Sequence, residues 1–251
     1  MKKVSRVLWA VILVTIVGAT EGSAPKKKFE EDIIKTKTGD LKITFIGHGT
    51  LMFSYKDKVV HVDPVGRMAD YSRMPKADLI LVTHEHGDHF DPNAINILRQ
   101  QQTKLVLTKV CDEKVTGGTI MKNGDVLTIH GFKIEAVPAY NVVHKRPNGE
   151  PFHPKAKGLG NGYVVTFGET RVYVAGDTEN TPEMKTLKKI DIAFLPMNLP
   201  FTMTPEMVAD AAKAFEPGIL YPYHYGQTDP NTLATFLKDS KKIEVRIRKM
   251  R

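Results

Sequence analysis

From Leu41 onward, apolar and polar positions fall into short runs of two kinds. In the first kind the runs alternate and come in pairs. Leu41-Lys42-Ile43-Thr44-Phe45-Ile46 alternates until Gly47-His48-Gly49 breaks it. Leu51 to Tyr55 and Val59 to Val62 flank Lys56-Asp57-Lys58, which predicts a hairpin. Asp125 to Ile129 with Phe132 to Val137 predicts a second around His130-Gly131, and Tyr163 to Phe167 with Arg171 to Ala175 a third around Gly168-Glu169-Thr170. In the second kind the runs are continuously apolar, as a buried strand requires. These are Asp78 to Thr83, Leu105 to Val110, Asp191 to Leu195 and Ile219 to Tyr223, with Ile243 to Ile247 as a last strand. Helix starts lie among them. Asp91-Pro92, Thr181-Pro182 and Thr204-Pro205 each put a capping side chain before a proline that fits the first helical position. The first of these helices runs to about Gln101 and the last to Phe215, where Pro217-Gly218 ends it. Pro230 to Lys238 is the final helix. Hairpins followed by strand–helix alternation predict one α/β domain over residues 41–251 with at least two sheets. No internal period of the repeat-protein kind is present.

Residues 1–24 depart from that pattern. Lys2, Lys3 and Arg6 precede an apolar run from Val7 to Ala19, and small residues follow at Gly22-Ser23-Ala24. That order is a secretory signal peptide, with cleavage expected near residues 19–24. The run is shorter than the roughly 18–20 residues that span a bilayer comfortably. Residues 25–40 are charged and poor in apolar positions, and are expected to be a loose lead-in. Export to the periplasm or the extracellular space follows from the leader.

Charge adds little once the leader is set aside. The chain carries 36 Lys and Arg against 28 Asp and Glu, a formal charge of +8. Removing residues 1–19 takes away three cations and leaves +5. Much of the excess sits at Lys241, Lys242, Arg246, Arg248, Lys249 and Arg251, read as a solvated edge or tail. The 251 residues contain one cysteine, Cys111, which excludes a disulfide framework and any site built of thiolates alone.

The chemistry is concentrated in Thr83-His84-Glu85-His86-Gly87-Asp88-His89-Phe90, a loop between a buried strand and a capped helix. Three imidazoles and two carboxylates within six residues are costly to crowd together without a cation. His84 and His86 point the same way from extended backbone, and Asp88 and His89 come after the turn. Imidazole and carboxylate are the ligand types of Zn²⁺ and related divalent metals. His144, Asp177 and His224 each follow a predicted strand, and strand ends on one side of a sheet converge on one crevice.

The series His84-x-His86-x-Asp88-His89, His144, Gly176-Asp177-Thr178 and His224 resembles the metallo-β-lactamase superfamily over roughly Leu41 to His224. The resemblance implies a four-layer αβ/βα sandwich with the site along one edge of the packed sheets. It implies two divalent metal ions, zinc foremost, with manganese or iron as alternatives. His84, His86 and His144 would hold the first, Asp88, His89 and His224 the second, and Asp177 would bridge them. A metal-bound hydroxide would then attack a small ester, lactone, amide or phosphate ester, with Asp88 orienting it or shuttling its proton. Gly47-His48-Gly49, His61-Val62-Asp63-Pro64 and Tyr173 to Thr178 look like the branch holding the ascorbate-6-phosphate lactonases and N-acyl-phosphatidylethanolamine phospholipases D. The zinc β-lactamases place a cysteine in the second sphere. Cys111 lies before His144, which disfavours hydrolysis of that type.

Three residues complete the candidate set. His48 is expected to line the pocket, His153 to contact substrate from the Pro/Gly-rich loop 151–162, and Asp63 either to orient a ligating imidazole or to cap the turn at Pro64. His61 and His130 are expected to be structural. The partner is a small molecule. Export and a basic tail without interleaved aromatics argue against nucleic acid. No membrane role beyond export is expected, and the oligomeric state is left open. The alternatives are a phosphodiesterase or nuclease on the same scaffold, and a metal-holding protein without catalysis.

Overall fold

The alternating runs become two sheets built to one plan. The computed structural model describes residues 28–155 and 159–251, so the expected leader lies outside the described residues. In the first half seven strands lie side by side in chain order. They are β1 (Glu30–Thr36), β2 (Gly39–Gly47), β3 (Thr50–Tyr55), β4 (Lys58–Val62), β5 (Leu79–Leu81), β6 (Lys104–Leu107) and β7 (Thr119–Ile120). β1 to β4 pair antiparallel, and β4 to β7 pair parallel. The second half repeats the arrangement. β8 (Val126–Ile129), β9 (Phe132–Pro138), β10 (Asn161–Phe167) and β11 (Thr170–Val174) form the antiparallel part. β12 (Ile192–Pro196), β13 (Ile219–Tyr223) and β14 (Glu244–Val245) continue it in parallel.

Strand parity sorts the side chains between layers. On β5, Leu79 and Leu81 enter the core between the sheets, while Ile80 faces α1 (Pro92–Leu98) and α2 (Lys109–Asp112). On β12, Ile192 and Phe194 enter the same central core. Ala193 and Leu195 face the other way, where α3 (Pro182–Lys185), α4 (Pro205–Phe215) and α5 (Asn231–Leu237) cover the sheet. Rings meet across the central layer, with Phe53 5.4 Å from Phe167 and Phe45 5.1 Å from Tyr221. The layers are therefore helix, sheet, sheet, helix, the expected four-layer sandwich. Asp91, Thr181 and Thr204 cap their helices through the side chain, each before its proline. Among the described residues no helix is long and apolar enough to cross a membrane.

The structure corrects the reading of residues 25–40 as a loose lead-in, because Glu30–Thr36 is an edge strand paired along its length with β2. Its signal is non-local. Asp32 accepts hydrogen bonds from Tyr221 Oη at 2.5 Å and from Arg248 Nη2 at 2.8 Å, 189 and 216 residues away in sequence. Arg248 also lies over the Phe45 and Tyr221 rings. Two cations of the basic C-terminus thus serve a clasp between the sheets rather than a solvated tail, since Arg246 also stands 3.5 Å from Asp32. Burial raises the Asp32 pKa, but Tyr221 and Arg248 overcome it and hold the carboxyl below its ordinary value. Smaller differences lie at element ends. The first helix stops at Leu98, the strand from Leu105 gives way after Leu107 to a turn of helix, and β14 keeps two residues.

Two predictions come from this framework. Arg248→Ala leaves Asp32 with fewer partners in a mostly buried place and should cost about 2 kcal/mol in chemical denaturation. His61 is fully buried, its Nε2 donating to the Pro75 carbonyl at 3.0 Å while Nδ1 has no partner among the described residues. Burial pushes its pKa down to about 4 despite that bond. The folded pKa lies below the unfolded value of about 6.5, so protons favour the unfolded chain and stability falls as pH drops through that interval. Relative to His61→Gln, the wild type should lose about 1.5 kcal/mol of unfolding free energy between pH 6.5 and pH 5.

Candidate metal centre

The parallel strands of both sheets end on the same edge, and the loops after them carry the titratable residues. Asp63 follows β4, the His84–His89 loop follows β5, Asp177 follows β11 and His224 follows β13. His48 sits in the β2–β3 turn. Beyond β5 the chain bends at Glu85 and His86. The amides of His89 and Phe90 then bond back to the His86 carbonyl, and this turn brings Asp88 and His89 round to a second position.

The side chains gather into groups around one carboxylate. The ligand atoms of His84, His86 and His153 lie within 4.8 Å of one another, as do those of His48, Asp88, His89 and His224, and the two sets meet where those of His84, His89 and Asp177 lie equally close. Asp177 stands between the two sets. Its Oδ2 is 3.4 Å from His153 Nε2 and 3.9 Å from His84 Nε2. Its Oδ1 is 3.2 Å from His89 Nε2 and 3.6 Å from His224 Nε2. Asp88 Oδ2 is 3.1 Å from His48 Nε2 and 3.3 Å from His224 Nε2.

A cation fits this arrangement. His84 Nε2, His89 Nε2 and Asp177 Oδ1 are buried and have no hydrogen-bond partner among the described residues. Each such group costs about 1–3 kcal/mol if left unsatisfied. All three lie where Asp177 and its imidazoles converge, a place where bound cations would satisfy them. The protonation states agree at His84 and His153, whereas Asp177 and Asp63 overcome burial and raise the His89 pKa well above its ordinary value, so His89 must release a proton to hold an ion. Burial holds His84 well below its ordinary pKa and His153 at about 4, so both offer free lone pairs. Burial raises the pKa of Asp177, but His224 and His89 overcome it and keep the carboxylate ionised. Burial likewise opposes ionisation of Asp88, and the contacts to His224 and His48 reverse it.

Supporting contacts fix the imidazoles. Asp63, fully buried, accepts from His89 Nδ1 at 2.8 Å and from the Thr83 amide and hydroxyl at 2.8 and 2.7 Å. It therefore turns His89 Nε2 toward Asp177. Gly49 permits the approach, since a Cβ there would lie 2.5 Å from His89 Cε1. His48, Asp63 and His224 all hold positive φ, at 54°, 46° and 46°. Left-handed backbone at three non-glycine residues around one site is strain concentrated where side chains must be aimed.

The structure places His144 differently from expectation. It joins neither group, and its Nδ1 donates to Glu179 Oε1 at 2.6 Å. His153, expected only to touch substrate, stands with His84 and His86 instead. The chain between the two explains the difference. Arg146 N bonds to Glu150 O and Lys145 bridges Pro151, so residues 145–151 form a small hairpin that carries the chain out and returns it at His153. Asn141 Oδ1 then receives His153 N at 2.7 Å and His153 Nδ1 at 2.8 Å, leaving Nε2 to face Asp177. His48, expected to line the pocket, meets Asp88 directly instead. His61 and His130 stay outside the cluster, as expected, each bonded to a backbone carbonyl.

Sequence reasoning missed Asn141 and Glu179. Glu179 is fully buried and accepts from the amides of Val142, Val143 and His144 and from the Asn141 side chain. Its one sequence signal is a carboxylate two residues past Asp177. A cavity of about 240 Å³ opens over the centre, with His86, Asp88, His153, Asp177 and His224 in its lining.

If Asp63 aims His89, Asp63→Asn should weaken Zn²⁺ binding about 10- to 100-fold in competition with a chelator. Unchanged affinity would show that the contact is incidental.

Comparison with known proteins agrees with this geometry. Residues 42–224 match the beta-lactamase superfamily domain. A metal-dependent hydrolase of Methanopyrus kandleri is 32% identical over 207 residues, covering 76% of this chain and 86% of the relative. A crystal structure from Parabacteroides distasonis, provisionally assigned as a metal-dependent hydrolase, is 50% identical. It superposes with a TM-score of 0.84 over 89% of this chain and all of that one. The metallo hydrolase Igni18 of Ignicoccus hospitalis shares the fold, with a TM-score of 0.69 at 24% identity over 84% and 95% of the two chains. The chain belongs to the beta-lactamase superfamily and is a metal-dependent hydrolase of the metallo-β-lactamase fold.

Proposed function

We propose that the protein is an exported hydrolase with a binuclear metal centre, acting on a small ester, lactone, amide or phosphate ester. The observation that carries the binuclear reading is Asp177, whose two oxygens face two sets of imidazoles that meet at His84 and His89. Export rests on the order of basic, apolar and small residues in positions 1–24.

In this reading His84, His86 and His153 would hold one ion and Asp88, His89 and His224 the other, with Asp177 shared between them. The donors are all nitrogen and oxygen, which suits zinc and also manganese or iron. Bound there, two divalent ions would supply a nucleophilic water at neutral pH and polarise the oxygen under attack. The chain's own part is positioning. Asp63 and Asn141 aim His89 and His153, and Glu179 pins the turn from which the 145–151 hairpin departs. Asp88, kept ionised by His224 and His48, is a weak base. It serves better to orient a water by accepting its hydrogen bond than to remove its proton. The basic residues that would favour a nuclease lose that weight, because Arg246 and Arg248 are engaged with Glu244 and Asp32.

The test is metal content by mass spectrometry of the purified variants. Wild type should carry two equivalents, His153→Ala about one, and His144→Ala two, with hydrolysis of a chromogenic ester abolished by chelation. Loss of an equivalent in His144→Ala but not His153→Ala would refute the ligand assignment. One equivalent in wild type would refute the binuclear centre.

A further inference from the structure

The cavity over the centre is lined by more than metal-holding residues. Arg146, from the 145–151 hairpin, shares it with Phe152, Asn198 and Phe201. The Arg146 guanidinium lies 5.2 Å from the centre of the Phe152 ring, and its Nη2 donates to the Phe152 carbonyl at 3.3 Å. These two contacts hold the group in place while leaving most of its five donors unused. Among the described residues no carboxylate pairs with it. That sets it apart from Arg171, Arg246 and Arg248, which are paired with Glu135, Glu244 and Asp32. The acids of the same cavity, Asp88 and Asp177, are already surrounded by imidazoles. A held but unpaired guanidinium facing a cavity is suited to bind a planar or tetrahedral oxyanion through two parallel hydrogen bonds.

Beside it lies apolar surface. Phe201 packs edge-on against Phe152 with ring centres 5.1 Å apart, yet remains 42% exposed. Leu199, Val142 and Val143 are also exposed, on the same two segments. Those segments are tied together where Asn141 Nδ2 donates to the Phe201 carbonyl at 2.9 Å. In the cavity lining itself the apolar surface is the Phe152–Phe201 pair, placed to meet an apolar group of a ligand.

We propose that Arg146 and the Phe152–Phe201 pair form a subsite that reads an amphiphilic anion. The guanidinium takes a carboxylate or phosphate group carried by the substrate, and the rings take its apolar arm. This inference names the substrate class for the hydrolase reading and rests on it for the bond that is cleaved. It does not depend on it for binding.

The test therefore measures binding first. Calorimetric titration of the metal-loaded protein compares 4-phenylbutyrate and phenylphosphonate with the neutral 4-phenylbutanol. Wild type should bind the anions more tightly. Arg146→Ala should weaken the anions about 10- to 100-fold and leave the alcohol unchanged. Arg146→Lys should retain part of the gain, and Phe201→Ala should weaken all three probes. Equal binding of anions and alcohol by wild type, or anion binding indifferent to Arg146→Ala, would overturn the proposal. Which anion binds better tells carboxylate from phosphate. Kinetics then separate this proposal from the broader one. A mono-4-nitrophenyl ester of glutaric acid should be preferred to 4-nitrophenyl butyrate, with the preference lost in Arg146→Ala through KM. Hydrolysis of both esters without preference refutes the subsite and spares the hydrolase. No hydrolysis of either refutes the ester reading, while the titrations still decide the subsite.

Discussion

One buried carboxylate, that of Asp177, has imidazoles on both sides, and the design of the molecule follows from keeping it ionised. A carboxylate out of water is tolerable only if positive charge or donors surround it. Here Oδ1 faces His89 and His224, and Oδ2 faces His84 and His153. No single strand or loop could supply that set. It requires two sheets whose parallel strands end on the same edge, one bringing the His84–His89 loop and the other bringing Asp177 and His224. The aromatic layer between the sheets, with Phe45 and Phe53 against Tyr221 and Phe167, fixes their relative placement. The Asp32–Arg248 clasp ties the first strand to the last residues and closes the sandwich near one edge. Stability and site geometry are thus one problem in this fold.

The cost of aiming the ligands is visible in the backbone. His48, Asp63 and His224 hold left-handed conformations that side chains other than glycine rarely adopt. His48 and His224 are joined by a backbone bond of 3.1 Å and their rings lie 3.8 Å apart. Asp63 spends its acceptors on Thr83 and His89. Such contacts over-determine the positions of the imidazoles.

Much of this was legible in the order of residues. The hairpins, the capped helices beginning with Asp-Pro or Thr-Pro, and the dense His84–His89 loop depend on short-range pattern, and the structure bears them out. The edge strand Glu30–Thr36 was not legible, because the groups that hold Asp32 stand near the other end of the chain. The exchange of His144 for His153 has a similar cause. Strand-end proximity points to the first histidine after β9, but the 145–151 hairpin moves the chain away and returns it nine residues later. Pro147-Asn148-Gly149 announced a turn there, yet only the contact between Asn141 and His153 shows which imidazole comes back. Glu179 escaped because a buried carboxylate that satisfies backbone amides looks, in sequence, like any other acid.

The most direct test of the account is anomalous diffraction from crystals grown with zinc, with data collected on both sides of the zinc edge. The account predicts two peaks, one on each side of the Asp177 carboxylate, with His153 Nε2 and not His144 coordinating the ion beside His84 and His86. A single peak, or a peak coordinated by His144, would contradict it.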